Sequence, residues 1–353
     1  MKNNHILIVR FSAIGDVAML VPVVYSLSRQ YPTLRITVLS KPFARPFFDS
    51  LGSNVGFMEA DLKNEYVGIT GLNALYRRLK AKRFTDVADM HGVLRSGYLR
   101  MRFNLDRYKV KHINKHRKER RKIVSAHNKQ LVQLPSVIQS YAKVLEDLGY
   151  PVKLEFTSLF PPCGGNLRFL PPIVGEKKKF QLWIGVAPFA AHKGKVYPPE
   201  KMERVIAQLL SLHPNGRVFL FGVGADERKY FSAWCAKYAR CVDASSSVAG
   251  LPQELILMSH LDVMVSMDSA NAHLASIVNV PVVSVWGATH PCVGFMAWNQ
   301  TVDNAVQVDL PCRPCSVYGN KPCSRGDWAC MEMIKPEMIV EKVENVFKKS
   351  NKR

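Results

Sequence analysis

Five places in this 353-residue chain combine residue types that can do chemistry. The first is Arg10–Asp16 (RFSAIGD), a short turn with Ser12 and Gly15 inside it and a carboxylate at its end. A carboxylate there can cap a helix beginning at Val17. It repels a diphosphate, and the turn lacks the G-x-G-x-x-G of a phosphate loop. The second is Met267–His273 (MDSANAH). Backbone amides at a helix start, with Ser269 as hydroxyl donor and His273 one turn on, can hold a diphosphate without a metal. The same residues also suit a plain helix start with Asp268 or Ser269 as N-cap. The third is Pro188–Pro199 (PFAAHKGKVYPP), with Lys193 and Lys195 on a loop between a strand and a helix. The fourth is Gly222–Glu227 (GVGADE), whose acids could accept from ribose hydroxyls. The fifth is a group of cysteines, Cys312, Cys315, Cys323 and Cys330, spaced C-x2-C-x7-C-x6-C. That spacing allows an all-thiolate, tetrahedral zinc site, with disulfides disfavoured in a cytosolic protein.

These loops need elements to hold them at the ends of strands. Ile6–Val9 reads as a strand buried on both faces, and Val17–Arg29 as the helix after it, with Pro22 in its first turn or at a kink. Strands follow at Arg35–Leu39, Gly56–Met58 and Phe84–Asp89, with an amphipathic helix at Gly71–Lys82 and another at Pro135–Leu148. Pro151–Lys179, rich in Pro and Gly, reads as a linker. A second series then begins. Strands are expected at Leu182–Val186, Arg217–Phe221, Val263–Ser266 and Val282–Trp286, and helices at Pro199–Leu212, Glu227–Tyr238, Gln253–Ser259 and Asn271–Val278. Alternating strands and helices imply parallel βαβ units, here as two Rossmann-like domains facing across a cleft. The expected divisions are residues 1–170, 171–335, and a C-terminal helix with a basic tail at 336–353.

Composition narrows the class. The chain is 47% hydrophobic and 22% charged, as in soluble globular proteins, and holds no apolar run of the ~18 residues that a spanning helix needs. The opening strand is too short for a signal peptide, so the expectation is a cytoplasmic protein. Eight cysteines in a chain of this size do not make a secreted disulfide scaffold. The net charge is +21, and Arg95–Lys122 alone carries twelve Lys and Arg against Asp106 and Glu119. A surface so concentrated suits nucleic acid, anionic lipid or acidic polysaccharide, or is a solvated face.

Taken together, RFSAIGDVAMLVP, DMHGVLRS, HKGKVYPPEK, DSANAHLASIVNVPVVSVWGATHP and CRPCSVYGNKPCSRGDWACM occur in one order that resembles glycosyltransferase family 9, the ADP-heptose:lipopolysaccharide heptosyltransferases. The resemblance covers nearly the whole chain. It implies a GT-B fold with an acceptor-binding N-domain and a donor-binding C-domain. The implied reaction is an inverting, metal-independent transfer of heptose from ADP-heptose to lipid A–Kdo, with no cofactor beyond the donor. By the same match Asp16 is the general base, and Lys195 offsets charge on the departing diphosphate. Asp268, Ser269 and His273 fall on a D-[ST]-G-x-x-H diphosphate motif in which Ala270 replaces the glycine. Ala190 and Ala191 stand where hydroxyl residues are expected, leaving backbone amides, His192 and Lys193 for phosphate. Glu227, or in its place Asp226, is the expected ribose ligand. Acceptor contacts are assigned to Ser12, Gly15, His91, Arg95, Arg117 and Arg120. The basic segment would meet an anionic glycolipid at the inner face of the inner membrane, not nucleic acid. Rival readings are a nicotinamide oxidoreductase, a nucleic-acid-binding protein, a non-hydrolysing sugar-nucleotide epimerase, and a family member using another nucleotide-sugar or acceptor.

Overall fold

The computed structural model describes residues 4–350, and the chain divides into two compact α/β units. The first unit takes the chain up to His116 and again from Pro135 to Leu159; the second takes Arg117–Leu134 and everything from Phe160 onward.

In the first unit β1 (His5–Val9) is the centre of a parallel sheet. On one side lie β2 (Arg35–Ser40) and β3 (Val55–Glu59), on the other β4 (Asp86–Asp89) and β5 (Lys109–His112). All five residues of β1 are buried, because helices cover both faces and leave no solvent side to alternate with. The expected helix at Val17–Arg29 is two helices, α1 (Ile14–Ala18) and α2 (Val21–Gln30). Pro22 sits in the first turn of α2, where its missing N–H leaves no bond unmade. In α3 (Gly68–Lys80), Leu72, Leu75, Tyr76 and Leu79 recur at helical spacing and pack with Leu7 and Val9 of β1. α4 (Leu94–Leu105) joins β4 to β5. The strand β5 was not expected: its residues Lys109, Lys111 and His112 are polar, which an edge strand tolerates and uses against unwanted pairing. After α5 (Arg117–Ile123), which belongs to the second unit, α6 (Val137–Asp147) returns to the first. Ser136 accepts from the Gln139 amide at 3.1 Å while the Gln139 side chain accepts from the Ser136 amide at 2.8 Å, a reciprocal cap that fixes where α6 starts.

The second unit has six parallel strands, β6 (Trp183–Ala187), β7 (Arg217–Leu220), β8 (Cys241–Asp243), β9 (Val263–Met267), β10 (Val282–Val285) and β11 (Ala305–Val306). Their spatial order is β11-β10-β9-β6-β7-β8. The helices are α7 (Pro199–Leu212), α8 (Ala225–Lys237), α9 (Ala244–Ser247), α10 (Gly250–Met258), α11 (Ala270–Ile277), α12 (Ala329–Glu332) and α13 (Pro336–Ser350). Ile339, Val340, Val343, Val346 and Phe347 of α13 join the core of this unit, so the C-terminal helix is part of it. The last residues of the expected basic tail, 351–353, lie outside the described residues.

The division at residue 170 needs correcting. Residues 117–134 belong to the second unit, because Ile123, Val124 and Leu134 bury their apolar side chains with Cys292 and Val293. The Leu134 amide donates to the Cys292 carbonyl at 2.9 Å.

Each sheet has one point where strand order reverses direction, between β1 and β4 in the first unit and between β6 and β9 in the second. The crevice outside the carboxyl ends of strands at such a point is where open α/β sheets bind ligands.

Candidate active site

In the first unit the reversal point gathers the loops after β1, β2 and β4. Arg10 follows β1 and is buried. One of its guanidinium nitrogens donates to the Met90 carbonyl at 2.7 Å and another pairs with the Asp16 carboxylate. The Ala13 amide also donates to Asp16, at 3.2 Å. Both contacts fall on Oδ2, and among the described residues no hydrogen bond falls on Oδ1. The Asp16 side chain keeps 26% of its exposure. Tyr141 of α6 donates to the Asp16 backbone carbonyl at 3.1 Å and lies under the Arg10 guanidinium at 5.8 Å. A carboxylate held by one oxygen and open at the other can accept a proton without moving. Gly15, beside it, is buried in α1.

At the end of β4, Asp89 accepts from the His91 and Gly92 amides, both at 2.9 Å, and pairs with Arg100 at 3.3 Å, which fixes the turn carrying His91. His91 Nε2 lies 3.5 Å from Ser12 Oγ, and Nδ1 has no partner among the described residues. Burial, with Arg10 and Lys115 nearby, pulls the imidazole down to about 3, so it is neutral at pH 7. A cavity of about 330 Å³ is lined by Phe11, Ser12, Lys41, Leu62, His91 and Arg95 among others. Three of the expected acceptor residues, Ser12, His91 and Arg95, therefore meet at one cavity. Lys41, which follows β2 and was not singled out from sequence, joins them.

Two expected acceptor residues are elsewhere. Arg117 is exposed on α5 in the second unit. Arg120 is buried there: its Nε donates to the Val293 carbonyl at 3.1 Å and its guanidinium sits 4.4 Å from the centre of the Phe295 ring. It fastens residues 117–134 to the second unit through that carbonyl and ring.

In the second unit the reversal point joins the loops after β6 and β9. Lys195 Nζ is 2.9 Å from Asp268 Oδ2 and donates to the Asp268 carbonyl at 3.0 Å. Thr289, after β10, donates to Asp268 Oδ2 at 2.8 Å. Asp268 is buried and Lys195 nearly so, at 5% and 15% exposure. The aspartate thus holds the lysine in place, a role its position in a phosphate motif did not reveal. The ammonium has three protons, and two contacts to Asp268 leave one for a ligand. Ser269 occupies the N-cap position of α11 but makes no side-chain cap; its Oγ is 3.2 Å from Ser266 Oγ. Ala270 is the first residue of the helix, and His273 is buried one turn in.

Tight backbone contacts hold this cluster. A Cβ on Gly194 would come within 2.8 Å of the Gly319 carbonyl, and the Ala288 amide donates to the Gly194 carbonyl at 2.8 Å. Gly319, at φ +77°, lies against the Lys195 stem, so that a Cβ there would stand 2.6 Å from Lys195 Cγ. Arg313 is buried and donates to the carbonyls of Gly287 (2.5 Å), Trp286 (3.1 Å) and Thr289 (3.0 Å). The cysteine-bearing segment is therefore a brace for the loop that carries Thr289. Its cysteines are free thiols, and burial pushes Cys330 up to about 11. Among the described residues no group of three or more His, Cys, Asp and Glu is placed to hold a metal ion.

The remaining expected donor residues are less committed. His192 and Lys193 are exposed, with Lys193 Nζ 5.5 Å from the Trp328 ring centre. Glu227 Oε2 accepts from the Val223 and Gly224 amides at 2.8 and 3.1 Å, fixing the glycine turn at the start of α8.

Residues 72–324 match the family model described as glycosyltransferase family 9 (heptosyltransferase). The chain belongs to this family. It is a glycosyltransferase, built on the GT-B fold. It is 30% identical over 90 residues to lipooligosaccharide heptosyltransferase 2 of Campylobacter jejuni, 26% of this chain and 27% of that one. It is 23% identical over 300 residues to lipopolysaccharide heptosyltransferase 3 of Escherichia coli, 83% of this chain and 85% of the relative. The E. coli ADP-heptose lipopolysaccharide heptosyltransferase II structure superposes with a TM-score of 0.68 at 17% identity, covering 98% of this chain and 99% of that one. A family 9 glycosyltransferase from Veillonella parvula reaches 0.73 at 16% identity over 99% and 98% of the two chains.

Proposed function

We propose that this family 9 enzyme transfers heptose from ADP-heptose to the inner core of lipopolysaccharide, lipid A–Kdo, with inversion at the anomeric carbon and without a metal. The observation that carries the reading is the Asp16 carboxylate, pinned through Oδ2 and open at Oδ1. In the proposed step Oδ1 takes the proton of an acceptor hydroxyl as its oxygen bonds to the anomeric carbon. The bond from that carbon to the diphosphate breaks and ADP leaves with the electron pair. Lys195, held by Asp268, and the uncapped first amides of α11 beside Ser269 and Ala270 meet the growing negative charge. In this reading Glu227 accepts from ribose through Oε1, since Oε2 is taken by the Val223 and Gly224 amides, and His192, Lys193 and His273 complete the donor set.

The acceptor's acidic sugar is assigned to the cavity of Ser12, His91 and Arg95, where a neutral imidazole takes a hydroxyl and the cations take a carboxylate. The enzyme works in the cytoplasm, where free thiols persist, on the inner face of the inner membrane. Among the described residues no helix is long and apolar enough to cross a membrane. A second reading keeps the reaction and changes the donor: Ala270 narrows the approach of phosphate to backbone, and Ala190 and Ala191 remove hydroxyl contacts. A panel of nucleotide-sugars separates the two. ADP-heptose should raise the melting temperature most and give a product of inverted anomeric configuration with lipid A–Kdo in the presence of EDTA. Stabilisation and turnover by a different nucleotide-sugar alone would select the second reading.

A further inference from the structure

Helix α4 has two apolar faces, and only one of them is used. Leu99 and Phe103 are buried in the first unit's core. Leu94, Met101 and Leu105 fall on one line along the opposite side, at i, i+7 and i+11, and are 93%, 48% and 70% exposed. The line is a single side chain wide, far from the ~800 Å² per partner of an ordinary protein interface. Cations stand at both of its ends. Arg95 is exposed beside Leu94, and Leu105 borders a basin of about 600 Å³ lined by Lys80, Arg83 and Arg107. Asp106 is the basin's one carboxylate and pairs with Lys80, leaving the two arginines for other anions. Apolar side chains exposed between cations suit the boundary of an anionic bilayer, where the side chains leave water and the cations meet lipid phosphate.

We propose that this outward face of α4 is where the protein rests on an anionic lipid bilayer, with Leu94, Met101 and Leu105 entering the headgroup–acyl boundary and Arg83 and Arg107 meeting lipid phosphates. The proposal rests on the lipid-borne acceptor of the reading above and names the surface that reaches it. Leu94 and Arg95 also line the cavity of Ser12 and His91, so the helix runs from the bilayer contact to the acceptor's sugar.

The test is flotation of the full chain with vesicles of phosphatidylcholine alone or with one-quarter phosphatidylglycerol, across a salt series. The wild type should float only with the anionic vesicles. Met101→Gln with Leu105→Gln should weaken that binding on the order of tenfold at every salt concentration. Arg83→Gln with Arg107→Gln should remove only the salt-sensitive part. Both double variants should keep wild-type transfer to a delipidated, soluble acceptor, since neither pair touches the site. Wild type that does not float, or an apolar double variant that floats like wild type, overturns the proposal. So does a self-associated wild type that the apolar variant makes monomeric while vesicle binding persists. Absence of transfer from ADP-heptose with vesicle binding intact would instead overturn the reading of the reaction and leave this surface standing.

Discussion

The turn after β1 and the turn after β9 occupy equivalent places, each at the reversal point of its own parallel sheet, yet they handle an aspartate in opposite ways. Asp16 is paired with a buried arginine through one oxygen and keeps the other open. Asp268 is enclosed, its Oδ2 shared between Lys195 and Thr289. The first turn therefore presents a base and the second presents a cation with a row of amides. One backbone plan holds the acid in either way, and the partner that neutralises it decides which group is left open.

The largest effect expected from this contrast is that of Asp16→Asn. It should lower kcat by roughly 10²–10⁴-fold while leaving ADP affinity unchanged; a loss of ADP affinity in a titration would break the division of labour. Lys195→Met should come next, with turnover down about 10²–10³-fold and ADP bound more weakly. Thr289→Val should cost less, about tenfold, because the aspartate keeps its lysine; equal losses for the two variants would show that the hydroxyl acts on the ligand itself.

A smaller effect concerns stability. Unfolded, the His91 imidazole titrates near 6.5, whereas burial holds it to about 3 in the fold. Between these values the unfolded chain binds a proton that the folded chain does not, so stability is complete above about pH 6.5 and falls as pH drops toward 3. At pH 5 the loss is about 2 kcal/mol. His91→Asn, which cannot titrate, should flatten that part of the curve in urea unfolding at pH 5 and 7.5.

Much of this was legible in the chain. Buried parallel strands such as β1 and β6 announce themselves as continuous apolar runs, and the loops that follow them carry the reactive residues because the strand ends are fixed. What escaped was set by distant partners. The short edge strands β5, β8 and β11 have two to four residues and no pattern of their own. Asp268 read as a phosphate-motif residue because nothing local shows that Lys195 and Thr289 close on it. Thr289 did lie inside a stretch whose order carried the family resemblance. Arg120 read as part of a free basic surface, since charge density along a sequence says nothing about a carbonyl 173 residues away.

The excursion of residues 117–134 into the second unit gives the chain a timetable. These residues leave the ribosome long before Cys292 and Val293, to which Leu134 and Arg120 attach. At 5–20 residues per second the wait is roughly ten to thirty seconds. Meanwhile the first unit can assemble around α6, holding both ends of a basic loop whose apolar residues, Ile123, Val124 and Leu134, have no cover. Its two ends anchored, that loop is a tethered receptor waiting for the second unit to be made.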